Sequence, residues 1–276
     1  MRIEGFRIRA VPWQTGMDLI SEMEGIGSEA AYERAEIDLC CVDLEEKQFV
    51  AVMKSYDSSM TKLPGETEAP KQTLVEDMLI DSYRLHKILG LARLYDEGDI
   101  RAPLVYGFEP GNGKPRRIIK SMTVRTLVSR VPFRVGEDKI HEFNLFLKSA
   151  KDPSENGFVK RSFRCFEDSF ATRAPGLAFT SIAMGLEYMF HRRIVQKISE
   201  EVAKNCATLI ATNQNEFRVI ETKLRMLYRK RSGLLHEAGT IGEEDILVLR
   251  SYLRRSIRKA LELGLDAEQV KRYRPT

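Results

Sequence analysis

Histidine and cysteine are both sparse in this chain, and their placement excludes several chemistries at once. Among 276 residues there are four of each. Cys40, Cys41, Cys165 and Cys206 form no C-x-x-C pair and have no histidines at zinc-ligand spacing, so reduced, buried thiols are expected. Carboxylates are scattered, without an Asp/Glu and His cluster at metal spacing, and no metal or cofactor is expected. No stretch approaches the roughly 20 apolar residues a membrane helix requires. The opening residues Met1 to Gly5 lack the apolar run of a signal peptide, and a cytoplasmic location follows as the expectation. A strong net charge is missing too: 44 basic against 40 acidic side chains leave +4, too little to argue for nucleic acid by the total alone. Internal repeats and low-complexity tracts are absent.

What remains is a globular composition, 43% hydrophobic and 30% charged, long enough for one large domain or two modest ones. Alternation over Arg2 to Val11 predicts a strand ended by Pro12, and the apolar runs Glu36 to Leu44 and Gln48 to Tyr56 predict a hairpin. Ser58 to Lys71 reads as a loop, and Thr73 to about Tyr95 as an amphipathic helix. Leu104 to Phe108 and Arg116 to Thr126 predict a second hairpin. The Gly113-Lys114 pair is not a phosphate loop, because Phe108 and Pro115 stand where that motif requires glycine and Ser or Thr. Glu137 to Ser149 predicts a short helix with Ile140, Phe143 and Leu147 inward.

From Phe158 the pattern is helical throughout. Helices are predicted over about Val159–Thr172, from about Ala178 onward with an extension or a bend near His191, over Asn215 to Leu235, and over Glu243 to Glu262. Pro175-Gly176 reads as a break between the first two. The fold class expected is α+β: a mixed N-terminal domain over 1–155, then an all-α bundle over 156–276.

The informative stretch ends the third of these helices. Its apolar stripe Phe217, Ile220, Leu224, Leu227 continues at the next step of four onto Arg231, and His236 follows five residues later. An arginine on a core-facing stripe is costly unless it meets an anion or a carboxylate, and Glu187 is a candidate partner. Five residues of regular helix turn by about 500°, which leaves Arg231 and His236 roughly 140° apart. They converge only if the helix distorts, as Gly233 would permit, or if a second copy supplies the missing group. His86 and His141 read as surface or boundary residues; His191 beside Arg192-Arg193 could touch phosphate, and a solvated basic helix edge is the commoner reading.

Phe179-x-x-Ile182-Ala183-x-x-Leu186-Glu187, a helix into Ala207-x-Leu209-Ile210, Leu227-Tyr228-x-x-Arg231-Ser232-x-x-x-His236 and a final basic helix together resemble the HEPN superfamily, in its ApeA-like branch. Leu91-Ala92-Arg93-Leu94-Tyr95-Asp96-Glu97-Gly98-Asp99 with Pro103-Leu104-Val105-Tyr106 is similar to the same branch. The resemblance implies a HEPN helical bundle that forms a homodimer and, in active members, metal-independent endoribonuclease activity in toxin or antiviral defence systems. The motif arginine falls on Arg231 and the histidine on His236, with Glu187 and Ser232 as supporting residues.

The chemistry fits these residue types. Cleaving RNA without a metal requires a proton taken from the 2'-hydroxyl, a proton given to the leaving 5'-oxygen, and stabilisation of the added negative charge. A histidine serves either proton transfer, worth about 100- to 10,000-fold, and a guanidinium holds phosphoryl oxygens with its planar fork. His236 is therefore expected as base or acid and Arg231 as stabiliser of the phosphorane. Arg225, Arg229, Lys230, Arg254 and Arg258 are candidate RNA contacts; from residue 213 onward 14 basic and 9 acidic side chains give +5. RNA and a second copy are the expected partners, with a regulatory protein or antitoxin as a further one, and no membrane. The alternative reading is a non-catalytic HEPN protein that dimerises or binds RNA or nucleotide. Ser232 and Glu237, which stand where the pattern has another polar residue and a glycine, lean that way.

Overall fold

The computed structural model describes residues 7–12, 48–53, 80, 87–96, 98, 100, 104–109, 116–122, 133, 135–153, 156–172, 174–191, 198–236, 240–266 and 269–270. Only the backbone is described for 7–12, 48–53, 104–109, 116–122 and 232–236. The chain divides into two compact units, Met1–Leu89 with Arg101–Val124, and Gly90–Ile100 with Arg125–Thr276.

In the first unit two backbone ladders are described. β1 (Arg7–Pro12) runs antiparallel to β2 (Gln48–Met53), with Arg7 opposite Met53 and Pro12 opposite Gln48. β3 (Leu104–Glu109) runs antiparallel to β4 (Arg116–Met122), with a register break between Gly107 and Phe108. Glu36 to Leu44, the expected partner of Gln48 to Tyr56, and the expected loop Ser58 to Lys71 lie outside the described residues.

The expected α+β class is corrected here. The residues described with their side chains are 80% helical and contain no strand and no sheet, so this part of the chain is a helical fold. The two ladders are two-stranded and separate. Period-two alternation predicts that a segment can extend and pair, but a packed sheet layer requires at least a third strand or a covering helix. Nothing in the alternation of a single segment supplies either.

The second unit is built from helices: the stretch 90–95, a 3-10 turn at Glu137–Lys139, α1 (Ile140–Ser149), α2 (Gly157–Asp168), α3 (Pro175–Phe190), α4 (Ile198–Ile210), α5 (Gln214–His236) and α6 (Glu243–Leu263). The stretch 90–95 and α1, N-terminal to the expected division at 155, pack in this unit. α2 packs on α3, α4 on α5, and α6 against α2, α3 and α4.

Helix ends follow local chemistry. Asn156 Oδ1 accepts from the Phe158 and Val159 amides at 3.1 and 3.2 Å, which starts α2 before the expected Val159. Pro175, read as a break, is the first residue of α3, where its fixed φ and missing N–H cost nothing. α3 stops at Phe190 because His191 is extended (φ −84°, ψ 129°). At the start of α5 the Asn213 side chain accepts from the Glu216 amide at 2.9 Å, while the Glu216 carboxylate accepts from the Thr212 amide at 2.7 Å. Gly264 ends α6 in the left-handed region at φ 64°, with the Leu265 amide donating to Ala260 O at 2.9 Å.

Between the helices lies one large core that includes Phe166, Phe179, Ile182, Leu186, Phe190, Ile220, Leu224, Leu253 and Ile257, each essentially inaccessible. Each such side chain contributes about 1.5–3 kcal/mol by leaving water. A smaller cluster joins Tyr95 to Phe143, ring centroids 4.9 Å apart, and Phe143 to Phe133 at 5.7 Å. Of the three residues expected inward on α1, Phe143 is buried and Leu147 partly so, whereas Ile140, in the first turn, is exposed.

Candidate functional site

α5 carries its apolar stripe into the core as its spacing requires: Ile220, Leu224 and Leu227 are buried and Phe217 packs against them. The stripe then delivers Arg231 to α3, where its Nη1 donates to Glu187 Oε1. The two side chains are 23% and 21% exposed, so the pair is neither sealed in the core nor out in solvent. Tyr228 lies beneath the guanidinium, 5.9 Å from its carbon to the ring centre, and its hydroxyl donates to Ala183 O at 3.2 Å. Burial first, and then the negative charge of Glu187, push the Tyr228 phenol well above its ordinary range, so it stays a neutral donor. Arg231 Nε is buried and has no hydrogen-bond partner among the described residues, which leaves part of the guanidinium's donor capacity unspent.

His236 closes α5, and the helix is continuous from Arg231 to it. Gly233 therefore introduces no break. The Cα positions of Arg231 and His236 stand about 140° apart around one axis. The side chains of Ser232 and His236 lie outside the described residues. Within one chain the site brings Arg231 to Glu187 and leaves His236 on another face of α5.

Several of the expected RNA contacts are held by partners in their own chain. Arg225 donates to Glu221 at 2.8 Å, one turn back on α5. Lys230 donates to Asp245 Oδ2 at 2.5 Å and Lys223 lies 3.9 Å from the other oxygen, which braces α5 against the first turn of α6. Arg258 donates to Tyr95 O at 2.7 Å and lies over the Phe146 and Tyr95 rings at 5.0 and 5.7 Å. Arg254 is half-buried. Arg229 is exposed on α5. A groove of about 310 Å³ at the C-terminal end of α4 is lined by Thr208, Thr212, Arg255, Arg258, Lys259 and Glu262, among others. Arg255 is engaged there, donating to Ile210 O at 2.8 Å and Glu216 at 2.6 Å. Among the described residues no cluster of His, Cys, Asp or Glu could hold a metal ion. Nor is any described helix long and apolar enough to cross a membrane.

One pair at this end of the bundle escapes sequence reading. His191 is not a solvated basic edge: its Nδ1 lies 3.2 Å from Glu201 Oε2, with the two side chains 20% and 25% exposed. Its backbone amide donates to Glu187 O at 2.9 Å, so it sits one turn beyond the carboxylate that holds Arg231. Asn205, one turn after Glu201 on α4, donates to Phe190 O at 3.3 Å and fixes the end of α3 against α4. The available signal was the i, i+4 spacing of Glu187 with His191 and of Glu201 with Asn205, which puts each pair on one helix face. What brings the two faces together is tertiary.

No family model matches the chain, no curated protein matches it, and no solved structure matches it.

Proposed function

We propose that the chain is a metal-independent endoribonuclease of HEPN type, a toxin-like or antiviral effector that acts as a homodimer. The observation that carries the reading is the Arg231–Glu187 pair. The residue to which the resemblance assigns phosphate stabilisation is held by the carboxylate assigned to support it, at a half-open position on the bundle. A carboxylate on one edge of a guanidinium orients the remaining N–H groups, and a dianionic phosphorane then meets a fixed fork. His236 serves as base or acid. Its position about 140° from Arg231 supports a site shared across a two-fold axis, in which the arginine of one copy meets the histidine of the other. Attack of the 2'-oxygen on phosphorus leaves 2',3'-cyclic phosphate and 5'-hydroxyl ends.

The same divergence is the observation that favours a second reading, a non-catalytic bundle that binds RNA while Arg231 serves structure. Cleavage of total cellular RNA and tRNA in excess EDTA separates the two. Under the nuclease reading wild-type protein cuts and leaves cyclic phosphate ends, whereas Arg231→Ala and His236→Ala each lose at least about 100-fold. RNA binding equal in all three proteins, with no cutting by any, would establish the binding reading instead.

A further inference from the structure

We infer that His191 is a catalytic proton-transfer residue of this site and that Glu201 is its positioning residue. The inference rests on the ribonuclease reading above. It adds a histidine that the motif does not contain. Two polar pairs lie one turn apart at the C-terminal end of α3: Glu187 with Arg231 of α5, and His191, whose amide donates to Glu187 O, with Glu201 of α4. All four are between 20% and 25% exposed, the degree of opening a reacting group needs in order to be both oriented and reachable. With Nδ1 donating to the Glu201 carboxylate, the neutral imidazole is the tautomer that carries its lone pair on Nε2, the atom that would accept a proton. A carboxylate in this position also stabilises the imidazolium once formed. Asn205 holds the Phe190 carbonyl beside it, so the turn that carries His191 is braced rather than frayed.

The step balances with one base and one acid. The RNA 2'-hydroxyl gives its proton to His191 Nε2 as the 2'-oxygen bonds to phosphorus. The phosphorus–O5' bond then breaks, O5' takes a proton from His236 acting as the acid, and each histidine returns to its starting state by exchanging a proton with water. Arg231, one helical turn away through Glu187, stabilises the negative charge gathered on the phosphoryl oxygens. His191 stands one turn beyond Glu187, the residue that holds Arg231 in the same chain.

The test uses the full chain and a short single-stranded RNA in excess EDTA, comparing wild type with His191→Ala, His191→Gln, Glu201→Gln and Arg231→Ala. Cleavage rate, RNA affinity and melting temperature are read for each. The expected result is a loss of at least about 100-fold in rate for both His191 variants, with RNA affinity and melting temperature kept. Glu201→Gln should show a smaller loss. Added imidazole should restore part of the rate to His191→Ala and none to Arg231→Ala, a rescue that a structural histidine would not show. Wild-type cleavage with undiminished rates in the His191 variants overturns the inference and leaves the ribonuclease reading standing. So does a loss that tracks a fall in melting temperature and is not rescued. A wild-type chain that cuts no RNA removes the ribonuclease reading, and this inference falls with it.

Discussion

Arg231, Arg250 and Arg258 all stand on helices whose inward positions are leucine and isoleucine, and each charge is met differently. Arg231 takes a carboxylate from α3. Arg250, 1% exposed, donates to the Ser169 hydroxyl and carbonyl at 3.1 Å each and lies 4.0 Å over the Phe170 ring. Arg258 uses a backbone carbonyl and two aromatic faces. The neighbouring Glu216 makes a clear prediction. Hydrogen bonds from the Thr212 hydroxyl and amide, and then from Arg255, hold its carboxyl near 2 against an ordinary 4.5. A carboxylate whose pKa is lowered by folding stabilises the fold above its unfolded pKa, and that contribution is lost as pH falls through the folded value. The wild-type melting temperature should therefore decline between about pH 4.5 and pH 2 more steeply than that of Glu216→Gln. Equal slopes in the two proteins would deny Glu216 this role.

At the scale of elements, two glycines of the bundle are expected to respond in opposite ways. A Cβ on Gly185 of α3 would lie 2.6 Å from Leu253 Cδ2 and 3.2 Å from Cys165 Cβ, so this glycine sets how closely α3 approaches α6 and α2. Gly185→Ala gains about 1 kcal/mol of helix propensity. It also forces a filled core to move, at about 1–3 kcal/mol. Its melting temperature should fall. Gly157, at the first position of α2, has nothing within 4 Å of such a Cβ, so Gly157→Ala should stabilise by about 0.4–1 kcal/mol. Urea titrations of both variants decide the signs, and a stabilised Gly185→Ala would show that the interface has slack.

For the whole molecule the proposed nuclease makes a prediction that no single helix can. If Arg231 of one copy works with His236 of another, an Arg231→Ala dimer and a His236→Ala dimer each lack one half of every site. Subunit exchange between them would rebuild one complete site per mixed dimer. Cleavage should then reappear on mixing two inactive preparations and grow with incubation time. Mixtures that stay inactive while exchange is verified by labelled subunits would deny a site shared between Arg231 of one copy and His236 of the other.

Much of the bundle is legible in the chain because burial repeats with the helical period. Phe217, Ile220, Leu224 and Leu227 identify the inner face of α5, and the same arithmetic carries it to Arg231. Glu187 as a partner for that arginine is legible too, since a charge on an inward stripe must be met. Local stereochemistry sets the ends, although Pro175 shows that a residue read as a break can equally begin a helix. Charge on the last helix is not legible in the same way. Arg250 shares the step-of-four row of Arg254 and Arg258 in sequence yet lies in the interior, because Ser169 and Phe170, about eighty residues away, receive it. His191 is the clearest case. Its partner Glu201 stands ten residues on in a different helix, and its meaning depends on how α4 packs so that Glu201 faces the end of α3. Periodicity thus determines which residues face inward, because it is a property of one helix. Pairing between two helices depends on how the core brings them together, and that was decided by tertiary structure alone.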